Sequence, residues 1–435
     1  MTINTEPSFT INNSDQDRFR FIVEQAISGT IMTQDLQVQK PVIVRTLSGG
    51  AHIEFDVDYR DLSAAGITFW PWGYWVHAEK MIFGEKVIWA SVLTKPGQVD
   101  KKSGVLHMQG DGFSQYAKGM PWLEDWNPLV VDPFAVVIKI WDHLQSYPNG
   151  NLGVTFPTTI SGLEMLPGYA FDGSIMNINF FAEYVRQSDK QDCGNVIDAL
   201  ARDIPFDYIE NAYWNSNRTA IIKQIVLAPV IDTGESFQPT IGAQQDGLAF
   251  VVNENVIEAL PNVPAEIDMA TDVIIDGWYP GSEYSATFTN EIENQYRRVI
   301  MQDDARINSN EIAAAWASRK LTKRQTPPYF SDIVVIMGHP NAPFGTYDVG
   351  DRIWVTGFMP WINNGAGGDV RQLHKILAMQ VNEEDGTVEI QMYAEGAFNY
   401  EPVYYQGSTS GSITISQNNF ALAQAIPYGP TIGVS

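Results

Sequence analysis

AHIEFDVDY, residues 51–59, is the stretch that decides how the amino-terminal region folds. Its apolar side chains alternate with polar ones, which is the period-two pattern of a strand with one face buried and the other in water. Two further runs, KVIWASVLT (residues 86–94) and GVLHMQG (residues 104–110), are rich in apolar and β-branched residues and end at Gly or Pro. We therefore predict an all-β, barrel-like domain over residues 1–125.

The pattern changes to helical spacing after residue 126. Asp132 is placed to cap a helix, and Pro133 suits the first helical position because that N–H has no partner within a helix. Apolar residues then recur at helical spacing until Pro148-Asn149-Gly150, which stops the helix. These signals predict the first helix of an α+β domain, inserted after the barrel over residues 126–245.

A second helix and a hairpin complete this predicted domain. Val196 to Ile204 places apolar residues on one stripe, and Asn195 is positioned to cap the helix. The runs FDYIENAYW and TAIIKQIVLA follow and are predicted to pair through a turn at residues 215–218.

The remaining chain is again rich in strands. Residues 246–285 are predicted to be a crossing segment with strands, and residues 286–400 a second small barrel with one helix from Asn310 to about Lys323. A hairpin is predicted around residues 382–386, and residues 401–435 form a polar, Gly/Ser-rich tail. The strand-like runs are TDVIIDGWY, SDIVVIMG, DRIWVTGFM, RQLHKILAMQV and TVEIQMYA. The overall prediction is a mixed, β-rich α+β fold with two small tandem β-barrels and inserted α+β domains.

Composition narrows the class of protein. With 435 residues, 44% of them hydrophobic and 18% charged, the chain fits a well-packed globular protein. A formal net charge of −24 argues against a protein that grips nucleic acid or an anionic membrane. The single cysteine, Cys193, excludes an internal disulfide, and no run of about 18 apolar residues predicts membrane insertion.

A search for catalytic groups finds little. The six histidines are scattered without the i, i+4 spacing of a helical zinc site, and there is no phosphate-binding loop. We therefore predict no catalytic, metal-binding or cofactor-binding residues. Asp56 and Asp58 lie on one strand face about 7 Å apart, which overlaps the carboxylate separation of glycoside hydrolases. A solvated strand face explains the same pair, and glycoside hydrolase activity stays an alternative.

The aromatic segment FWPWGYW, residues 69–75, is the most unusual local feature. Its candidate site residues are Trp70, Trp72, Tyr74 and Trp75. If exposed, these rings could stack on sugar faces, because an aromatic plate offers a flat apolar surface. If buried, they would belong to the core or to a subunit interface, and we favour that interpretation.

Two segments resemble a known family. GDGFSQYAKGMPW (residues 110–122) and DPFAVVIKIWDHLQSYPNGNLGV (residues 132–154) are similar to segments of the minor tail proteins of long-tailed actinobacteriophages. Those proteins share a G-F-x-x-Y-x-K-G-M-P segment and a D-P-L/F helix ending in W-x-H-x-Q-x-x-P-x-G-N-L-G-V. Further along, P-x-G-x-x-x-V-G-D-R-I-x-V (residues 343–355) resembles the carboxy-terminal barrel of phage tail hub proteins in general.

The resemblance implies a structural virion protein at the tail tip, made in the host cytoplasm. Such a hub is usually a homotrimer whose ring joins the tail tube to the tip or baseplate. Its implied partners are a distal tube-adaptor protein, the tape measure protein, and other minor tail or receptor-binding proteins. DNA would pass through the ring without specific binding, and an acidic wall would prevent phosphates from sticking. A carbohydrate-binding tip protein remains the other alternative.

Overall fold

Strands make up most of the described part of the chain. The computed structural model describes residues 18–68, 70–100, 103–124, 126, 132–161, 190–203, 206–229, 241–261, 270–279, 282–289, 296–304, 310, 313–314, 317, 321, 330–357, 370–394 and 400–402. The strands are β1 (Arg20–Gln25), β2 (Ile31–Leu36), β3 (Gln39–Thr46), β4 (Gly50–Asp58), β5 (Tyr74–Ile82), β6 (Glu85–Asp100), β7 (Val105–Gly112), β8 (Val154–Thr155), β9 (Phe206–Trp214), β10 (Ile221–Pro229), β11 (Phe250–Val251), β12 (Val256–Pro261), β13 (Asp272–Tyr279), β14 (Ser282–Thr289), β15 (Val299–Asp304), β16 (Phe330–Ile336), β17 (Arg352–Gly357), β18 (Val370–Asn382), β19 (Thr387–Ala394) and β20 (Tyr400–Pro402). The helices are α1 (Tyr59–Ala64), α2 (Pro133–Ser146) and α3 (Cys193–Asp203), with a 3-10 turn at Phe113–Ala117.

The amino-terminal strands form a curled sheet in the order β3-β4-β7-β6-β5-β1-β2. β2 and β3 lie at its two ends, although only Gln37 and Val38 separate them in the chain. Across a flat sheet the two ends would be about 29 Å apart, at about 4.8 Å per strand. The connection reaches at most about 11 Å. The sheet therefore curls enough to bring the end of β2 close to the start of β3, and it encloses a core that includes Phe21, Phe55 and Val76.

The carboxy-terminal strands form a second curled sheet in the order β12-β16-β19-β18-β17-β11. Its end strands, β11 and β12, are joined by a short turn in which the Asn253 N–H donates to the Val256 carbonyl at 3.0 Å. Asn253 adopts a left-handed φ of 67°, a conformation that asparagine tolerates better than most residues. The predicted hairpin at residues 382–386 is confirmed, since it joins β18 to β19.

One long strand joins the two curled sheets. The first half of β18 pairs with β17, and its second half pairs with β3, from Ala378 opposite Thr46 to Asn382 opposite Val42. An irregularity at Leu377 separates the two halves. The result is one 14-stranded sheet and one hydrophobic cluster that spans both halves. Strand pairing among the described residues closes no barrel, so the two tandem barrels stay a prediction.

The α+β region packs against the first curled sheet. β8, β10 and β9 form a three-stranded sheet, and α2 and α3 share a buried cluster with it. The predicted start of α2 is confirmed, because the Asp132 carboxylate accepts from the Phe134 N–H at 2.7 Å. The hairpin of β9 and β10 is also confirmed, with the turn at residues 215–218.

The predicted cap of α3 is wrong. The helix begins at Cys193, so Asn195 lies inside its first turn instead of preceding it. Asp192 Oδ1 accepts from the Asn195 N–H at 2.9 Å, and Asp192 is therefore the capping residue. The helix starts early because the Cys193 N–H donates to the carbonyl of Met120 at 2.8 Å, which fixes the entering chain.

A third sheet has the order β14-β13-β15, with β13 parallel to β15. The predicted helix from Asn310 to Lys323 falls mostly outside the described residues, including its basic end. Its described positions are helical, and Ala313, Ala317 and Leu321 pack on Val273 and Ile275 of β13. The tail after residue 402 also lies outside the described residues. No helix in the described part of the chain is long and apolar enough to cross a membrane.

Candidate functional site

The aromatic segment divides into a buried half and an exposed half. Tyr74 and Trp75 begin β5 and are 6% and 1% exposed. Both are buried because β5 is covered on its two faces: Tyr74 points into the core of the curled sheets and Trp75 into the cluster of the α+β region. Trp70 and Trp72 precede the strand and are 67% and 52% exposed. Only these two of the four predicted aromatics are therefore available to a ligand.

Hydrogen bonds hold the exposed tryptophans on a defined turn. The Trp72 N–H donates to the Thr94 carbonyl at 2.8 Å, and the Gly73 N–H donates to the Trp70 carbonyl at 3.0 Å. The Gly73 carbonyl in turn accepts from the Ala26 N–H at 2.9 Å. Trp72 has a left-handed φ of 63°, which is rare for a bulky residue and persists only where the surroundings enforce it.

A row of polar side chains adjoins Trp72 on the outer face of the first curled sheet. Lys95 Nζ lies 5.6 Å from the centre of the Trp72 ring and contacts the Asp111 carboxylate. Asp111 also contacts His52 Nδ1 at 2.8 Å, and His52 Nε2 contacts Glu54 at 2.9 Å. Each of these side chains is partly exposed. We call this set of Lys95, Asp111, His52 and Glu54 the polar row.

The structure places Asp56 and Asp58 on β4, as predicted, but gives them separate partners. Asp56 contacts His107 Nδ1 at 2.9 Å. Asp58 caps α1 and accepts from the Arg60 side chain at 3.0 Å, and these bonds lower the pKa of its carboxyl to about 2. A glycoside hydrolase needs one carboxyl that stays protonated as the acid. Arg60 engages Asp58 and His107 engages Asp56, so neither carboxyl faces a shared space in which a sugar could lie between them, and this geometry does not favour hydrolysis.

A buried charge cluster, which sequence analysis missed, holds the α+β region against β1. Glu24 contacts Lys223 Nζ at 3.1 Å and His77 Nε2 at 3.0 Å, and His77 Nδ1 contacts Ser91 Oγ at 2.7 Å. Burial lowers the pKa of His77 and of Lys223. Burial tends to raise the pKa of Glu24, but the bonds from His77 and the charge of Lys223 lower it overall.

Ser91, His77 and Glu24 have the residue types of a catalytic triad. All three are buried within the packed sheet, where a substrate carbonyl could not reach the serine hydroxyl. We therefore interpret the cluster as structural. No sequence motif announces it, because its members come from β1, β5, β6 and β10.

A second, partly buried contact joins the α+β region to both curled sheets. Arg45 on β3 contacts Asp348 at 2.6 Å and donates to the Glu210 carbonyl of β9 at 3.0 Å. The Glu210 carboxyl accepts from the N–H groups of Ala51 and Ser114 at 3.0 and 2.5 Å. Burial raises the pKa of Glu210 to about 7, although those hydrogen bonds oppose the shift.

A third contact reaches the carboxy-terminal sheet, because Lys375 of β18 contacts Asp207 of β9 at 2.7 Å. The three regions of the chain are thus linked by buried or partly buried ion pairs. The described residues contain no group of three or more side chains that could hold a metal ion.

Comparison with solved structures finds the same fold in phage tail proteins. The 43 kDa tail protein of prophage MuSo2 from Shewanella oneidensis aligns with a TM-score of 0.53 and 12% identity, over 86% of this chain and 98% of that one. Prophage tail protein gp18 from Listeria monocytogenes EGD-e gives 0.51 and 14%, over 86% and 94%. A tail protein from Neisseria meningitidis MC58 gives 0.50 and 12%, over 87% and 97%. The sequence matches no protein-family model and no curated protein.

Proposed function

We propose that the chain is a structural protein of a phage tail and serves as its tail-tip hub. The observation that supports the proposal most is the fold, which covers 98% of a prophage tail protein despite 12% sequence identity. Similarity over nearly a whole chain indicates a shared architecture and not a common small motif. The segments at residues 110–122 and 132–154, which resemble those of actinobacteriophage minor tail proteins, favour a phage of actinobacteria.

The internal contacts suit a hub. Proteins that assemble into a closed ring must present their surfaces at fixed angles, so each copy needs a rigid body. Here β18 runs through both curled sheets, and the Lys223–Glu24 and Lys375–Asp207 pairs fix the α+β region on them. We propose that three copies form a ring around the DNA channel, in contact with the tube-adaptor protein and the tape measure protein.

The excess of acidic residues has a role in this proposal. A ring with a net charge of −24 per copy would repel the phosphates of passing DNA, whereas clustered Lys and Arg would retain it. We expect carboxylates to line the channel. A reconstruction of the tail with a channel lined by Lys and Arg would refute this part of the proposal.

Immunogold electron microscopy of purified virions tests the location. Phage particles produced by the strain that carries the gene are labelled with an antibody against this chain, and particles treated with pre-immune serum are the control. We expect gold at the tip of the tail. Label on the capsid, or absence of the chain from virions by mass spectrometry, would overturn the proposal.

Complementation then tests the role. A phage with a stop codon early in the gene should produce particles without a complete tail tip, and supplying the native chain from a plasmid should restore them. Normal, infectious tails made without the chain would contradict a hub function. Cell-wall cleavage by the purified chain in a zymogram would contradict the proposal that the chain is structural and has no catalytic activity.

A further inference from the structure

The exposed indole ring of Trp72 lies beside a row of charged side chains on the first curled sheet, and exposed Trp70 lies on the same turn. Trp70 and Trp72 flank Pro71 on a turn that three backbone hydrogen bonds hold in place. Leaving such large apolar rings in water is unfavourable, and the left-handed backbone of Trp72 adds strain. Phe83 is likewise exposed with a left-handed φ of 49°, so the groups beside Trp72 are what distinguish this surface.

The polar row gives this surface fixed hydrogen-bonding groups. Asp111 is held between Lys95 and His52, and His52 is held between Asp111 and Glu54. These mutual contacts orient the carboxylate oxygens, the ammonium group and the imidazole before any ligand arrives. Because the side chains remain partly exposed, they can still donate to or accept from a ligand at the edge of the Trp72 ring.

An apolar plate beside a polar row matches the two sides of a pyranose ring. The C–H face of the sugar stacks on an aromatic ring, and its hydroxyl groups both donate to carboxylates and accept from lysine or imidazole. A protein partner fits less well, because tryptophans at protein interfaces usually lie in a dry centre, away from charged groups. Here the Lys95 ammonium lies over one face of the Trp72 ring, so a sugar would stack on the opposite face.

The charges select among saccharides. The polar row contains two carboxylates and one lysine, and the whole chain carries a net charge of −24. An anionic polymer would be repelled by this surface. We propose that Trp70, Trp72 and the polar row form a binding site for a neutral, pyranose-based polysaccharide. This proposal does not depend on the tail-hub proposal.

Binding to neutral sugars tests the site on the purified full-length chain. The probes are chitohexaose, maltohexaose, mannohexaose and the neutral polysaccharide fraction from the cell wall of the strain that carries the gene. Tryptophan fluorescence and isothermal titration calorimetry report binding. We expect saturable binding of at least one probe, with affinity about tenfold lower in Trp72→Ala and in Trp70→Ala.

Phe83→Ala is the matched control. Phe83 is also an exposed aromatic residue, 70% exposed, but it lies beyond the other end of β5, about 30 Å away by strand length. Its removal should leave binding unchanged. Asp111→Asn should weaken binding without lowering the melting temperature of the chain by more than a few degrees, which separates recognition from folding.

Three results would overturn the proposal. The first is that no neutral probe binds at millimolar concentration. The second is binding that Trp72→Ala leaves intact, or that Phe83→Ala weakens equally. The third is Trp72-dependent binding of an anionic control polymer, polygalacturonate, in preference to the neutral probes. If the chain binds no sugar but the antibody against it labels the tail tip, only the sugar-site proposal is refuted. If the chain binds sugar but is absent from virions, only the hub proposal is refuted.

Discussion

Replacing Glu210 with Gln should remove a pH-dependent loss of stability where the α+β region meets the curled sheets. The Glu210 carboxyl is buried, and burial raises its pKa from 4.5 to about 7. The folded chain therefore holds this proton more tightly than the unfolded chain does. The resulting contribution to stability is fully present below pH 4.5 and is lost as the pH rises through about 7.

The size of the effect follows from that pKa shift. At 1.36 kcal/mol per pKa unit, a rise from 4.5 to about 7 corresponds to about 3 kcal/mol. Glu210→Gln is neutral at every pH and has a similar shape. The free energy of unfolding of the native chain, minus that of the variant, should therefore fall by about 3 kcal/mol between pH 4.5 and pH 8.

Hydrogen–deuterium exchange of peptides that contain Ala51 or Ser114 measures this difference at the junction itself. Comparing native chain and variant at the same pH cancels the intrinsic pH dependence of exchange. The matched control is Glu258→Gln, which removes an exposed carboxylate of β12 and should show no such trend. A difference that stays flat or rises with pH would show that the two N–H donors and Arg45 outweigh burial, and the reasoning would be refuted.

Three further substitutions test the packing. Lys223→Met should lower the free energy of unfolding by about 3–5 kcal/mol in urea denaturation, because it leaves the buried Glu24 carboxylate without its cation; a loss below 1 kcal/mol would contradict this. Gly112→Ala should destabilise strongly, because a Cβ there would overlap the Glu210 carboxylate and lie 2.5 Å from the backbone nitrogen of Ala51, whereas Gly247→Ala, whose Cβ meets no atom within 4 Å, is the control. Asp132→Ala should cost about 1 kcal/mol through loss of the α2 cap, and an unchanged urea midpoint would count against the cap.

Local signals in the sequence were sufficient for individual elements. The alternation in residues 51–59 predicts β4, and the Asp132-Pro133 pair predicts the start of α2, because both depend only on neighbouring residues. The cap of α3 fails for the opposite reason. Asp192 and Asn195 are both favoured capping residues, and the hydrogen bond from Cys193 to Met120, which is distant in sequence, selects Asp192.

Long-range pairing and buried charge could not be predicted. The β3–β18 contact joins residues more than 300 positions apart in the chain, and no periodicity marks the partner of a strand. Glu24, Lys223 and Glu210 are charged residues in strands, and a pattern of alternation assigns such residues to the solvent face. They are buried because the α+β region packs its own strands against the first curled sheet at these positions. Likewise, the sequence could not show that Tyr74 and Trp75 are buried while Trp70 and Trp72 are exposed. That difference depends on the coverage of both faces of β5, which only the structure shows.

We expect the buried Lys223–Glu24 pair to serve orientation more than stability, and a double substitution tests this. The double variant Lys223→Met, Glu24→Gln removes both charges of the pair. The new side-chain amide oxygen at position 24 can still accept a hydrogen bond from His77, and the pair leaves no unpaired charge behind. The free energy of unfolding should then stay within about 1 kcal/mol of the native value, in contrast to Lys223→Met alone. If orientation is what the pair supplies, amides of β1 and β10 should exchange faster in the double variant, and fewer chains should assemble into tails. Native exchange and native assembly would show that apolar packing alone orients the α+β region.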